Sequence, residues 1–272
     1  MKHFIIIIAA SGAFLMFNCK KEEPKLPKVE TISITEIAPD GALLTGEVIS
    51  EEGSSAYKRG FVWNTSSNPT TDHNSSDNGA GIGTFTLKLT GLPSKTKYYV
   101  KAYAINAYGT NYGKEMSFTT ISGLGDTMGG GMIFYLDGTG GGLVVATTDQ
   151  STGIKWGCVG TAVNGTSVNF GTGKTNTDAI STVCTESGIA AKTCKNLVLN
   201  GYEDWYLPSK DELDMIYDVL HKSGKGGFGN TYYWTSSEYN ASNAWYQNFQ
   251  TGEQSTASKS GNTIRVRAIR SF

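Results

Sequence analysis

From Val29 to Thr120 apolar residues return at every second position in short runs broken by Gly, Pro, Asn, Asp and Ser. That period belongs to strands that bury one face. Ile32, Ile34 and Ile37 mark a first run, Leu43, Leu44, Val48 and Ile49 a second, Phe61 and Trp63 a third, and Phe85, Leu87 and Leu89 a later one. In residues 92–106, Tyr98, Val100, Ala102 and Ala104 share one face, and the turn at Pro93 sets Tyr98 up as a corner tyrosine. Nothing in this stretch has a helical period, so residues 29–120 are expected to form an all-β sandwich.

After residue 120 the pattern changes. Residues 121–126 read as a hinge, and strands at 132–136 and 143–147 flank the glycines of 138–142 as a hairpin. Helices are expected over 176–183 and 189–199, and again after Pro208, where Ser209-Lys210-Asp211-Glu212 spells a capping box. Leu213, Ile216, Tyr217 and Leu220 then supply the i, i+3, i+4, i+7 stripe of a half-buried helix. His221 falls near the end of that helix as a structural residue, Gly224 stops it, and Asp211, Asp214 and Asp218 read as its solvated face. Strands return at 232–238, 244–249 and 263–270. Strands, helices and strands again define an α+β domain over residues 121–272.

The other end of the chain reads as an export signal. A short basic start precedes the apolar run Phe4 to Phe17, about fourteen residues, which is short for a membrane span and suits a secretory core. The run ends at Leu15-Met16-Phe17-Asn18-Cys19, which resembles a loose bacterial lipobox with Cys19 as the acylated residue. Lys20-Lys21-Glu22-Glu23 is similar to the tag that sends Bacteroidetes lipoproteins to the cell surface. The resemblance implies a signal peptide over 1–18, a tether over 19–28 and lipid anchoring at the outer membrane.

Charge and composition narrow the function. With 23 basic and 24 acidic side chains among 272 residues, no overall field favours nucleic acid. Only 3 histidines are present, which argues against general-base and metal chemistry. Asp72, His73 and Asp77 lie in a polar loop without the spacing of a calcium loop, so no metal is expected. The 34 glycines include two imitations of a phosphate loop. Those at 138–142 lead into a strand, and Gly171-Thr172-Gly173-Lys174-Thr175 has Val168 where a P-loop needs its first glycine and no apolar strand before it. No nucleotide or other cofactor is therefore expected. Three cysteines remain in the second domain, and in an exported chain a bridge is permitted. Cys184 with Cys194 would span the turn between the two short helices and leave Cys158 as a buried thiol; pairing of Cys158 with either one stays open.

Two family resemblances follow from these residues. Leu92, Pro93, Thr96, Tyr98, Val100, Ala104, Asn106 and Gly109 match the late-strand pattern of fibronectin type III domains, although the early-strand tryptophan is replaced by Trp63 on the third run. The segments 201–213, 233–239, Ala244-Trp245 and 266–270 resemble a bacterial domain family of unknown function, known from the C-terminal domain of a Legionella collagen-like adhesin and related to the C-type-lectin-like fold. Trp205, Leu207, Trp234 and Trp245 read as its large core residues. The resemblance implies binding of a glycan or an extracellular protein at a surface rather than catalysis; the calcium–sugar motifs of animal lectins are missing. The candidate surface is Tyr239, Asn240, Asn243, Trp245, Tyr246, Gln247, Gln250 and Glu253, where aromatic platforms and amides accompany two loops, 239–243 and 250–260. A structural envelope protein is the alternative, and an enzyme of the formylglycine-generating fold a remoter one, since no cysteine here sits in a matching motif.

Overall fold

The computed structural model describes residues 25–272. The signal peptide, Cys19 and the charged tag expected before the first strand lie outside the described residues. The chain divides into two compact units, one holding Gly41–Gly91, Thr96–Thr119 and the described part of Met1–Ile37, the other Thr120–Phe272 with Ala38–Asp40 and Leu92–Lys95.

In the first unit β1 (Lys28–Ala38), β2 (Gly41–Ser50) and β5 (Gly83–Leu89) form one antiparallel sheet in the order β1-β2-β5. The second sheet runs β4 (Asn74–Ser75), β3 (Lys58–Asn64), β6 (Lys97–Asn106) and β7 (Gly109–Tyr112), with β8 (Met116–Thr119) also paired to β6. The two sheets make the expected sandwich, and among the described residues of this unit no helix occurs. They meet at Gly46, where an added Cβ would lie 2.9 Å from the Ala102 Cβ and 2.9 Å from the Phe85 ring, so only glycine lets the layers close. Leu44, Val48, Phe61, Val62, Phe85, Val100, Ala102 and Ala104 are buried, as the alternation predicted for most of them. The first run is different: Val29 and Thr31 face inward, while Ile32 and Ile37 are exposed. The Thr31 hydroxyl accepts from the Ala102 amide at 2.9 Å, which fixes β1 in that register. Tyr98 is buried against Phe118, ring centroids 5.8 Å apart.

The second unit is built on the sheet β15-β11-β10-β9, comprising β9 (Thr127–Met128), β10 (Gly131–Leu136), β11 (Gly142–Val145) and β15 (Ile269–Ser271). β11 is buried along its whole length, which explains its unbroken apolar run. Ile133 and Val144 point into one core with Trp156, Ile180, Cys184, Trp205 and Trp234. Phe134 and Val145 point into another with Tyr206, Leu213, Ile216, Tyr233 and Phe249. Helices α1 (Gly173–Val183), α2 (Ala190–Lys195) and α3 (Lys210–Ile216) follow, with a π-helical turn at Tyr217–His221. The capping box is present in full: Glu212 N donates to Ser209 Oγ at 3.3 Å and Ser209 N to Glu212 Oε2 at 2.7 Å. A second antiparallel sheet holds β12 (Tyr232–Glu238), β13 (Asn243–Asn248) and β14 (Gln254–Ser258).

Four expectations are corrected here. The middle of 250–260, expected as a loop, is strand β14; a Gln-Ser-Thr-Ala-Ser strand has no apolar alternation and is held by backbone pairing to β13. The last apolar segment is a strand only at Ile269–Ser271; before it Val266 and Arg265 make isolated bridges to Ser151 and Tyr233. Asp214 is not simply solvated, because its carboxylate accepts from Gln247 Nε2 at 2.7 Å. Finally, the disulfide joins Cys158 to Cys184, not Cys184 to Cys194. The loop before Cys158 is tied to the turn between the helices: Ala190 N donates to Lys155 O at 3.0 Å, Cys158 N to Glu186 Oε1 at 2.8 Å, and Lys155 pairs with Glu186. This brings Cys158 beside Cys184 at the end of α1, while Cys194 turns inward from α2 as a buried free thiol.

Candidate binding surface

Adjacent residues of a strand project to opposite faces, and this divides the predicted surface. Trp245 and Gln247 point toward α3, whereas Ala244 and Tyr246 pack on the other side. Trp245 is half-buried. Its ring meets Tyr239 edge-on at 5.6 Å, and the Lys210 ammonium, from the first turn of α3, lies 5.0 Å from its centroid. Tyr239 is 58% exposed. Beside it Asn240 closes the loop, its Oδ1 accepting from the Ser242 and Asn243 amides at 2.9 Å each. Asn240, Asn243, Tyr239, Trp245 and Lys210 thus gather at the end of the sheet that carries the β12–β13 turn, and Lys210 was missed because a helix-start lysine signals only solvation in the sequence.

The remaining candidates do not join them. Tyr246 meets Tyr232 and Trp234 edge-on across the opposite face, at 5.3 and 6.4 Å. Gln247 is fully buried, donating to Asp214 and to Gly252 O at 3.2 Å, so it binds α3 to the sheet. Gln250 and Glu253 are exposed in the turn after β13, one strand length away from Asn243, about 17 Å at the usual rise. Gln250 N donates to Asn248 Oδ1 and Glu253 N to Thr251 Oγ1, bonds that shape the turn.

The Gly171-Thr172-Gly173 segment has an unforeseen role. It does open a helix, since α1 begins at Gly173. The amides that would cradle an anion receive an internal one instead: Gly171 N donates to Glu212 Oε1 at 3.2 Å, and a Cβ on Gly173 would stand 2.3 Å from Glu212 Oε2. Burial pushes the Glu212 carboxyl above its ordinary value, against these backbone hydrogen bonds that lower it. Of the groups that carry acid–base chemistry, His221 is packed among the rings of Tyr217, Phe228 and Phe249. His73 accepts from Thr70 N at 3.1 Å in an exposed loop. Burial raises the Cys194 thiol, which therefore stays protonated. Among the described residues one cluster, Cys158, Cys184 and Glu186, has metal-ligand proximity, but its two sulfurs are joined and are not thiolates.

Residues 145–270 match the family model of the Lcl C-terminal domain. No curated protein matches the chain. Among solved structures, the sensor domain of the anti-sigma factor RsgI4 from Pseudobacteroides cellulosolvens aligns at 17% identity and TM-score 0.29, over 36% of this chain and 97% of that one. An FN3 domain of human collagen XX aligns at 19% identity and TM-score 0.27, over 41% and 100%. The 6th fibronectin type III domain of human fibronectin type III domain containing protein 3 aligns at 17% identity and TM-score 0.29, over 39% and 97%.

Proposed function

We propose that this protein is a lipid-anchored, surface-exposed binding protein of the adhesin type, whose second unit is a C-type-lectin-like domain recognising a glycan or an extracellular protein. The observation that carries the reading is the match of residues 145–270 to the Lcl C-terminal domain. The exposed Tyr239 with Asn240, Asn243, Trp245 and Lys210 supplies a rigid aromatic platform with amides and a cation, a composition suited to recognition. We take the protein to be non-catalytic, in keeping with its ring-packed His221 and its protonated, buried Cys194. The anchor is the acyl chain on Cys19 and the location the outer membrane.

Probing glycan and host-matrix arrays with the full chain tests this reading. Binding that falls at least tenfold on Tyr239→Ala or Trp245→Ala supports it; blank arrays together with an empty extracellular-protein pull-down overturn it. Cys19→Ser should move the protein out of the detergent phase, and unchanged partitioning would remove the anchor from the proposal.

A further inference from the structure

A cleft of about 260 Å³ opens in the second unit, away from the platform of Tyr239 and Trp245, between the β10–β11 hairpin, the segment after β15 and the start of α1. Its walls are largely aromatic. Tyr135 and Phe170 meet edge-on at 4.8 Å, and the Phe272 ring closes over Gly142, where an added Cβ would lie 2.9 Å from its Cζ. Polar groups converge on the same space. The Tyr206 hydroxyl lies 3.5 Å from Ser271 Oγ, and burial pushes this phenol up to about 12, so it remains an O–H donor. Asp137 stands at the mouth, and its carboxyl is held below the usual range by hydrogen bonds from Thr139 and the neighbouring amides. The bonds from Thr139 N, Thr139 Oγ1 and Gly141 N all fall on its Oδ1, at 2.7, 2.9 and 3.0 Å, which leaves acceptor capacity on Oδ2. Glu212 forms part of the floor, with its oxygens already engaged by Ser209 and Gly171 amides.

Three properties of the cleft select a ligand. Its volume lies just below the range of about 300–1,000 Å³ typical of drug-sized ligands, so it takes one ring and not an oligomer. Aromatic faces suit the C–H face of a saturated ring, while a carboxylate and two hydroxyls suit its O–H groups. The ionisable groups at the floor and mouth, Glu212 and Asp137, are acidic and no lysine or arginine lines the space, which disfavours anionic rings. We propose that this cleft is a subsite for a single neutral pyranose, gripped between Tyr135, Phe170 and Phe272 with its hydroxyls on Asp137, Tyr206 and Ser271. This deepens the glycan-binding reading above and rests on it, but places the sugar contact away from Tyr239 and Trp245.

The test is saturation-transfer NMR and calorimetry on the full chain with the methyl glycosides of glucose, galactose, mannose and N-acetylglucosamine, the corresponding free sugars, and glucuronate. At least one neutral sugar should bind with millimolar affinity. Phe170→Ala should weaken it at least tenfold, Phe170→Tyr should restore it, and Asp137→Asn should weaken it severalfold. Equal binding of glycoside and free sugar marks the chain-terminal unit of a glycan, and binding of the free sugar alone marks a soluble monosaccharide; either supports the subsite. Glucuronate binding as tightly as the neutral sugars overturns it. So does neutral-sugar binding that survives Phe170→Ala, or the absence of any saturation signal. Array binding lost on Tyr239→Ala but retained in Phe170→Ala would sink the subsite alone and leave the proposed function standing.

Discussion

The two units solve the problem of a small core in different ways. In the first, buried polar side chains are few: Thr31 and Asn106 stand out among strands whose inward positions are otherwise apolar. Asn106 donates to Lys25 O at 2.7 Å and accepts from Tyr108 N at 2.9 Å, bonds made to backbone alone at one end of β6. In the second, Glu212, Thr235, Ser236, Ser237, Gln247, Lys259 and Arg267 are all buried. Their partners include charged side chains. Asp149 receives Arg267 Nε at 2.7 Å and Arg265 Nη1 at 2.8 Å, while Arg267 also donates to Ala146 O and Gly226 O. Lys259 pairs with Glu238, donates to Thr161 O at 2.9 Å and lies over the Trp156 ring at 4.7 Å. A sandwich of paired strands satisfies its own backbone, whereas the second unit has long irregular segments whose backbone groups need side-chain partners. Buried charge fills that need, and it makes the unit vulnerable to the loss of any one member.

The largest contrast should come from Asp149→Ala. It strands the Arg267 guanidinium, which is 1% exposed, and should cost about 3–5 kcal/mol. Asn106→Ala in the first unit should cost only about 1–3 kcal/mol. Hydrogen exchange of the full chain in rising urea, read peptide by peptide, checks both; equal losses would erase the distinction drawn between the units.

Next in size is the bridge between Cys158 and Cys184, which closes a sequence separation of 26 residues. Reduction, or Cys158→Ser, should lower the stability of the second unit by about 3 kcal/mol through the unfolded-state entropy it restores. Peptides of the first unit should keep their protection. Mass spectrometry of the unreduced, denatured chain should find Cys194 alkylated and Cys158 and Cys184 not.

The smallest effect is in pH. The Arg270 guanidinium hydrogen-bonds Asp204 and holds its carboxyl below the ordinary value, so the pair contributes stability above the unfolded pKa of about 4 that is lost as pH falls through the lower folded value. Glu212 has the opposite sign. Its folded pKa is raised by burial, so its charge opposes folding above that value and the penalty is relieved as pH falls through it. Asp204→Asn should therefore flatten the acid limb of the second unit's stability curve. An unchanged limb would show that the pair is screened by solvent at its half-exposed carboxylate.

What was legible follows the same division. The alternation of 83–106 and the Ser209–Glu212 capping box are local patterns, and both appear in the structure where the residues place them. Strand β14 was not legible, because serine and threonine carry no face preference and its register on β13 is set by backbone pairing. The candidate surface was half legible. Tyr239 and Asn240 stand exposed, but neighbouring polar and aromatic residues on one strand cannot share a face, so Tyr246 and Gln247 were always destined for different sides. Lys210 and Glu212 acquire their partners across 35 and 41 residues of chain, Lys210 over Trp245 and Glu212 beneath Gly171. No window of sequence holds those pairs.

By itself, then, the amino-acid order determined the alternation of strands such as β5 and β6, the start of the third helix and the change of architecture after residue 120, because strand alternation, capping and turn formation act within a few residues. The tertiary structure alone decided which cysteine Cys184 joins, which face of β13 meets α3, and that the phosphate-like glycines of 171–173 hold the protein's own Glu212. Those choices depend on closing long loops around buried charges, and their energies exist only once the partners have been brought together out of water.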